Sequence, residues 1–173
     1  GSDDADGRVG AKRRAQAEFL ANYIQARQTA DPSERIISVG DYNAFQFNDG
    51  YVDLIGTIKG QPTPANQVAT ASPDLVDPDL TNLGDGLGAD QYSYVFDGNA
   101  QAIDHILVNE AARRRFSRLA YARSNADFPE SLRSDATRPE RLSDHDMPVA
   151  YFVLPGVPVI TLNGATIMTV EAM

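Results

Sequence analysis

The sequence lacks cysteine altogether, and this absence excludes several kinds of protein. With no thiol among its 173 residues, it holds no disulfide scaffold, no thiolate zinc site and no cysteine nucleophile. Lysine is scarce as well, because it occurs only at Lys12 and Lys59 and the rest of the positive charge is arginine. No apolar stretch approaches the roughly 20 residues that a helix needs to span a bilayer, so we expect no membrane partner.

Acidic residues outnumber basic ones, 24 against 15, for a formal net charge of −9. This balance disfavours a generally basic protein that coats nucleic acid. It leaves room for an enzyme that acts on nucleic acid, since a metal ion or a local cationic groove can receive phosphates. Hydrophobic residues make up 42% of the chain, enough for a core, so a wholly disordered chain is excluded.

Apolar residues at helical spacing predict one long helix over 11–28, after a loop at 1–10. Its apolar face is predicted to comprise Ala15, Phe19, Leu20, Tyr23 and Ile24. Apolar and β-branched runs predict a buried strand at 36–39 and further strands at 92–96, 102–108, 119–122 and 147–154. Asp97-Gly98 predicts a hairpin turn between the second and third of these strands. Asn109 predicts the cap of a short helix over 110–116, whereas 42–91 and 124–142 look irregular.

Two polar residues, Asp41 and Asn43, follow the first predicted strand. A carboxylate there can accept a proton, bind a cation or orient a water molecule, and an amide can donate to a phosphate oxygen. The alternative is a turn that ends the strand and is stabilised by side-chain hydrogen bonds. Taken alone, this segment leaves both interpretations open.

A second polar pair, Asp104 and His105, interrupts an apolar strand. Adjacent side chains on a strand point to opposite faces, so these two residues are not expected to interact with each other. One is expected to point into a site and the other away from it. The alternative is an edge strand whose polar pair faces solvent.

A third cluster, Asp144 with His145, precedes the last apolar strand. Histidine beside aspartate can supply a general acid or base, a metal ligand, or both. The alternative is a polar turn. Both histidines of the chain lie next to an aspartate, which favours use of these residues over chance.

The three clusters in this order form a recognisable pattern: Gly40-Asp41-Tyr42-Asn43, then Ile103-Asp104-His105-Ile106, then Ser143-Asp144-His145-Asp146-Met147-Pro148, with Tyr92-Ser93-Tyr94 ahead of the second. Over residues 11–154 the sequence resembles the C-terminal half of the endonuclease/exonuclease/phosphatase family, also called deoxyribonuclease I-like, and within it large secreted bacterial nucleases. The resemblance implies an α/β (α+β) fold: half of a four-layered α/β sandwich, with a mainly antiparallel mixed sheet and flanking helices.

The resemblance also implies roles for individual residues. Asp41 would orient or deprotonate the attacking water and, with Asn43, line the scissile phosphate or a metal. His145 would contact the phosphate, and Asp104 would accept a hydrogen bond from it and fix its tautomer. Asp144 and Asp41 would hold the metal, which would be Mg²⁺ or the similar Mn²⁺ or Ca²⁺, since the ligands are oxygens. No role is carried over to His105.

The motifs of the family's N-terminal half are missing from this sequence. We therefore expect a fragment of a longer protein, which pairs with the absent half or with a second copy of itself, because a lone half-sandwich exposes an apolar face. Residues 155–158 read as a linker, and 159–173, with a turn at Asn163-Gly164, resemble the first strands of bacterial immunoglobulin-like surface domains. That likeness favours an extracellular or cell-surface parent.

The leading hypothesis is metal-dependent phosphodiester hydrolysis by an extracellular nuclease that acts on DNA or RNA. Two alternatives stay open: a phosphomonoesterase or lipid phosphodiesterase of the same family, and a non-catalytic binding or adhesion module. Three further features have plain structural interpretations. The arginines at 113–115 and 118 are expected to be a solvated helix face, and Tyr92, Tyr94 and Phe96 core residues. The aspartates at 74, 77, 79 and 85 are a minor calcium candidate.

Overall fold

Helices and short antiparallel strands make up the fold, as the α/β (α+β) class predicts. The computed structural model describes residues 7–154, 160–162 and 165–168. Its helices are α1 (Arg8–Ala30), α2 (Leu54–Lys59) and α3 (Glu110–Arg113), and 3-10 segments span Leu83–Gln91 and Glu130–Leu132. Its strands are β1 (Ile37–Asp41), β2 (Thr81–Asn82), β3 (Tyr94–Phe96), β4 (Asn99–Gln101), β5 (Asp104–Val108), β6 (Phe116–Tyr121), β7 (Pro148–Phe152), β8 (Ile160–Leu162) and β9 (Ala165–Met168).

The strands form small separate sheets and not the one sheet expected. The central sheet has the order β1-β5-β2, and its register pairs Ile37 with Val108 and Asp41 with Asp104. Three two-stranded sheets, β3-β4, β6-β7 and β8-β9, accompany it. Every ladder between the named strands is antiparallel. Strand β5 lies in the middle of the central sheet, so its side chains define what is placed on each face of that sheet.

Strand β5 separates two hydrophobic cores because its side chains alternate between faces. Leu107 points into a core that it shares with α1 and α2. Ile106 and Val108 point into a second core built largely with β6 and β7. By the same alternation, Asp104 lies on the β6-β7 side of the sheet and His105 on the helix side.

Helix α1 confirms the predicted helix but not its predicted inner face. It begins at Arg8, inside the expected loop. Its buried positions are Gly10, Ala17, Ala21, Ile24 and Gln28, whereas Phe19 is 75% exposed. Small alanines at a spacing of four residues let the backbone of α1 approach α2, and this close packing decides the orientation of the helix. Only Ile24 of the predicted face is fully buried.

Strand β1 is an exposed edge strand, so the prediction of a buried strand at 36–39 is wrong. Ile37 is 45% and Val39 61% exposed, although their partners across the ladder, Val108 and Ile106, are buried. In the described chain β1 has β5 as its sole ladder neighbour. The strand also extends to Asp41, which therefore lies on the strand and not after it.

The predicted turn at Asp97-Gly98 is confirmed, but the predicted returning strand is wrong. The hairpin closes with β4, which pairs with β3 through Phe96 and Asn99. The apolar run that follows becomes β5 and joins the central sheet. A two-residue turn fixes only the nearest residues of a hairpin, so Ile106 and Leu107 pair where they find buried partners. The predicted cap is confirmed: the Asn109 side chain accepts a hydrogen bond from the backbone N–H of Ala112 at 3.1 Å.

Several predictions concern the C-terminal end of the chain. The linker at 155–158 and the turn at Asn163-Gly164 lie outside the described residues. Strands β8 and β9, which precede and follow residues 163–164 in the sequence, pair antiparallel. In the described part of the chain, no helix combines the length and the apolar character that crossing a membrane requires.

Candidate active site

A hydrogen-bonded pair, Asp104 with His145, lies at the centre of the candidate site. Strand β5 carries Asp104, and His145 precedes β7 and forms a backbone bridge with Tyr94. His145 Nδ1 lies 2.6 Å from Asp104 Oδ2. The Ser93 hydroxyl donates to the same carboxylate oxygen at 2.6 Å. The central sheet, the β3-β4 hairpin and the segment before β7 thus converge on one carboxylate.

This arrangement defines which nitrogen of His145 is available for chemistry. A carboxylate can only accept hydrogen bonds, so Nδ1 of His145 carries the proton that Asp104 receives. In the neutral ring Nε2 then holds the lone pair, and protonation at Nε2 gives an imidazolium that Asp104 stabilises. Asp104 itself is buried and held by Ser93, so the orientation of the ring is set before any ligand arrives.

Tyr121 is a neutral hydrogen-bond donor close to Asp104. Burial, and then the negative charge of Asp104, raise the pKa of Tyr121 to about 12. Its hydroxyl therefore stays protonated at any physiological pH. The Tyr121 hydroxyl lies 3.5 Å from the backbone carbonyl oxygen of Asp104, so this tyrosine adds no second negative charge beside that residue.

Asp41 lies beside the pair because β1 and β5 are in register at Asp41 and Asp104. Its side chain is exposed, and one ligand atom from each of Asp41, Asp104 and His145 lies within 4.8 Å of the others. Asp41 Oδ1 also accepts a hydrogen bond from the backbone N–H of Asn43 at 2.7 Å. The strand-ending turn proposed as the alternative is therefore present, and it holds the carboxylate at the site.

Asn43 is exposed on the same turn, and its backbone has φ +48°. Arg13 of α1 donates to the Asn43 carbonyl at 2.6 Å. The helix thereby braces the segment that carries Asp41 and Asn43. Both side chains are exposed, and Asp41 is the one that belongs to the group with Asp104 and His145.

Asp41, Asp104 and His145 form the sole group of three or more potential metal ligands within the described residues. The 2.6 Å contact between Asp104 and His145 is a hydrogen bond, so these two facing atoms satisfy each other. Asp41 remains the most accessible oxygen donor of the group. Asp144, the other predicted metal ligand, is partly exposed and is not a member of the group. The aspartates at 74, 77, 79 and 85 form no such cluster either.

His105 lies on the opposite face of the sheet from Asp104, as strand alternation predicts. It is buried, and its Nε2 donates to the carbonyl of Ala44 at 2.8 Å while Nδ1 accepts from Asn82 Nδ2 at 3.2 Å. Burial lowers the pKa of His105, which keeps the ring neutral. The alternative of a solvent-facing pair on an edge strand is wrong, because β5 is central and both residues are buried. His105 instead holds the segment after Asp41 in place.

Sequence reasoning missed the role of Asp146. This residue is fully buried, and its Oδ1 accepts hydrogen bonds from the backbone N–H groups of Ser124, Asn125 and Ala126 at 2.8–3.2 Å. Its Oδ2 receives Arg123 at 3.2 Å. The Asn125 side chain donates to the His145 carbonyl at 2.9 Å. The loop at 123–126 thus clamps the backbone that carries His145. The only sequence signal of this contact was the second aspartate of Asp144-His145-Asp146.

The structure also tests the predictions for the run of arginines and for the aromatic residues. Glu110 forms ion pairs with Arg113 and Arg114, in agreement with a solvated helix face at those two residues. The prediction is wrong for Arg118, which lies on β6 with its guanidinium 3.7 Å from the centroid of the Tyr151 ring. Tyr94 is partly buried, whereas Phe96 is 55% exposed. Within the described residues neither hydrophobic core includes any of the three aromatics, so the prediction that they belong to the core is wrong.

Comparison with models of known protein families, with curated proteins and with solved structures finds no match. The resemblance carried by the three polar clusters therefore stays a prediction. Asp104, His145 and Asp41 are therefore interpreted from their geometry and from the general chemistry of carboxylates and imidazole.

Proposed function

We propose that this chain carries part of the active site of a metal-dependent phosphodiesterase that hydrolyses nucleic acid, in a parent protein exported from the cell. The observation that carries the proposal is the Asp104–His145 hydrogen bond at 2.6 Å with Asp41 beside it. An oriented imidazole next to an exposed carboxylate suits proton transfer at a phosphodiester. The extracellular location rests on the resemblance alone.

Phosphodiester hydrolysis requires an in-line water, a group that takes its proton and positive charge at the phosphoryl oxygens. Asp41 orients the water and accepts its proton, because its carboxylate is exposed and fixed by the turn to Asn43. His145, as imidazolium, donates from Nε2 to the phosphate or the leaving oxygen. Asp104 stabilises that positive charge and fixes the tautomer.

The oxygen donors at the mouth of the site fit a hard divalent cation, Mg²⁺ or the similar Mn²⁺ or Ca²⁺. Asp41 is the carboxylate of the clustered group that would hold it, and Asp144 and the amide oxygen of Asn43 are added as ligands on the resemblance alone. Such an ion supplies charge to the phosphoryl oxygens. The ordered pair of Asp104 and His145 then remains available for proton transfer.

The first test is nicking of supercoiled plasmid by the 173-residue chain in Mg²⁺, with an EDTA control. His145→Ala is expected to lower nicking by about 10²–10⁴-fold, the usual contribution of a positioned acid–base group. Circular dichroism checks that the variant retains its fold. Nicking that survives both EDTA and His145→Ala would contradict the proposal.

An inactive chain is informative when binding is measured as well. Calorimetry with Mg²⁺ and Mn²⁺ is expected to show one site that Asp41→Asn weakens. Neither cation binding nor hydrolysis of plasmid, inositol phosphate or sphingomyelin would support a non-catalytic module in place of an enzyme. Turnover of inositol phosphate or sphingomyelin without nicking would assign the site to the alternative substrates.

A further inference from the structure

A line of aromatic rings leads from the candidate site to the surface along the β3-β4 hairpin. The Tyr94 ring lies 4.8 Å from the His145 ring, centroid to centroid. The Phe96 ring lies 6.4 Å from Tyr94, and their planes are 16° apart. Phe96 is 55% exposed, so the last ring of the line presents surface to solvent.

The hairpin holds these rings in a fixed arrangement. Asp97 and Gly98 have φ +48° and +77°, the left-handed conformations that a tight two-residue hairpin turn requires. Tyr94 and Phe96 are two residues apart on β3, and side chains at that spacing share one face of a strand. The bridge between Tyr94 and His145 ties the hairpin to the site. An exposed phenyl ring in this position does not stabilise a core.

We propose that Tyr94 and Phe96 form a stacking platform for a nucleobase adjacent to the phosphate at His145, so that the substrate is single-stranded or locally unpaired nucleic acid. The inference rests on the proposed function and specifies its substrate class. Bases inside a duplex are stacked on each other and cannot reach a protein ring without leaving the helix. A ring parallel to the platform is available only in a single strand or at an opened base.

The charge of the chain supports stacking as a source of affinity. A formal net charge of −9 weakens the long-range attraction that many nucleic-acid-binding proteins obtain from phosphates. Aromatic stacking does not depend on net charge and accepts every base. Local cations are nonetheless present: Arg133 is close enough for Glu130, and then Asp144 and Tyr94, to raise its pKa. Arg13 reaches the turn at Asn43.

The test compares the affinity of labelled oligonucleotides in EDTA, where hydrolysis is blocked, by fluorescence anisotropy. The probes are a single strand, the duplex of the same sequence and an abasic single strand of equal length. The wild-type chain is expected to bind the single strand tightest. Phe96→Leu, which keeps apolar area but removes the aromatic face, is expected to lower that affinity about tenfold and to abolish the preference over the abasic strand.

Phe19→Leu is the matched control, since Phe19 is 75% exposed on α1 and outside the site; its affinities are expected to equal those of the wild type. Equal affinity of wild type and Phe96→Leu for the single strand would overturn the platform. So would tighter binding of the duplex, or sedimentation that shows Phe96 to be a contact between two copies. Failure of the proposed function appears separately, as absence of both Mg²⁺ binding and hydrolysis of any substrate by the wild type.

Discussion

Asp104 illustrates how a single residue acquires its role from its partners. Its Oδ2 accepts from both Ser93 and His145 at 2.6 Å, and charge-assisted hydrogen bonds of this kind are short and strong. Ser93 is fully buried, so no water can replace it easily. The hydroxyl is therefore a positioning group for Asp104 and, through it, for His145.

Ser93→Ala tests this role. Loss of a hydrogen bond to a charged group costs about 1.5 kcal/mol, which corresponds to about tenfold in rate if it is lost at the transition state. We expect plasmid nicking to fall about tenfold, with a smaller loss than Asp104→Asn produces. Ser33→Ala, which removes a hydroxyl from an exposed turn, is the control and should leave nicking unchanged. A rate for Ser93→Ala equal to the wild type would refute the positioning role.

A second prediction concerns His105 and the dependence of the unfolding free energy on pH. Burial lowers its pKa below the usual 6.5 in the folded protein, and unfolding restores the usual value. Below about pH 6.5 the unfolded chain therefore binds more protons, so stability is present above that pH and is lost as the pH falls through it. In His105→Asn the fall in unfolding free energy from about pH 7.5 to 5.5 should be smaller.

Urea unfolding at the two pH values measures this difference. A fall of equal size in wild type and His105→Asn would show that His105 is not the group responsible.

Among the elements, α1 shows how packing selects a helix face that hydrophobicity does not. The bulky Phe19 points outward, and Ala17 and Ala21 face α2. A small residue at a close helix contact cannot be replaced by a larger one without moving the two helices apart. Ala21→Leu should therefore destabilise the protein by about 1–3 kcal/mol, whereas Phe19→Ala should change stability by less than about 0.5 kcal/mol. Thermal or urea unfolding that shows the reverse order would restore the face predicted from the sequence.

The clamp between the 123–126 loop and the segment before β7 is the second element with a measurable consequence. Asp146 satisfies three backbone N–H groups and Arg123. Asp146→Ala leaves these donors without their partner, at a cost of about 3–5 kcal/mol. Nicking should fall as well, because the loop holds the His145 carbonyl through Asn125.

Glu140→Ala is the control for the clamp, since it removes a carboxylate from the more exposed pair with Arg138. Exposed pairs contribute little, so its unfolding free energy should stay within about 1 kcal/mol of the wild type. If both variants lost the same unfolding free energy, the buried clamp would stabilise the protein no more than an exposed ion pair does.

At the scale of the whole molecule, strand β1 leaves apolar side chains exposed in the part of the chain that the structure describes. Ile37 and Val39 are exposed beside buried partners, and an edge strand with apolar side chains favours association. We expect sedimentation velocity to show self-association that increases with concentration. Val39→Lys should reduce it and Phe19→Lys should not. A wild-type chain that stays monomeric at every concentration would contradict the expectation.

Particular residues show which features of the structure the sequence alone predicts. Local chemistry defined the long helix, the Asp97-Gly98 turn and the Asn109 cap, because each depends on residues within a few positions. Strand alternation separated Asp104 from His105 correctly, since that rule needs only the backbone. The pairing of Asp41 with Asp104, by contrast, depends on a register across more than sixty residues of chain. The resemblance implied only that both residues belong to one site, and local propensity cannot define such a register.

By itself, then, the sequence determined the class of fold, the three polar clusters and the absence of thiol chemistry. Only the tertiary structure decided that β1 is an edge strand, that α1 buries its alanines, that Asp146 clamps the loop and that Phe96 faces solvent. The physical reason is the same in each case. Burial and pairing are properties of two surfaces in contact, and a one-dimensional pattern describes only one of them.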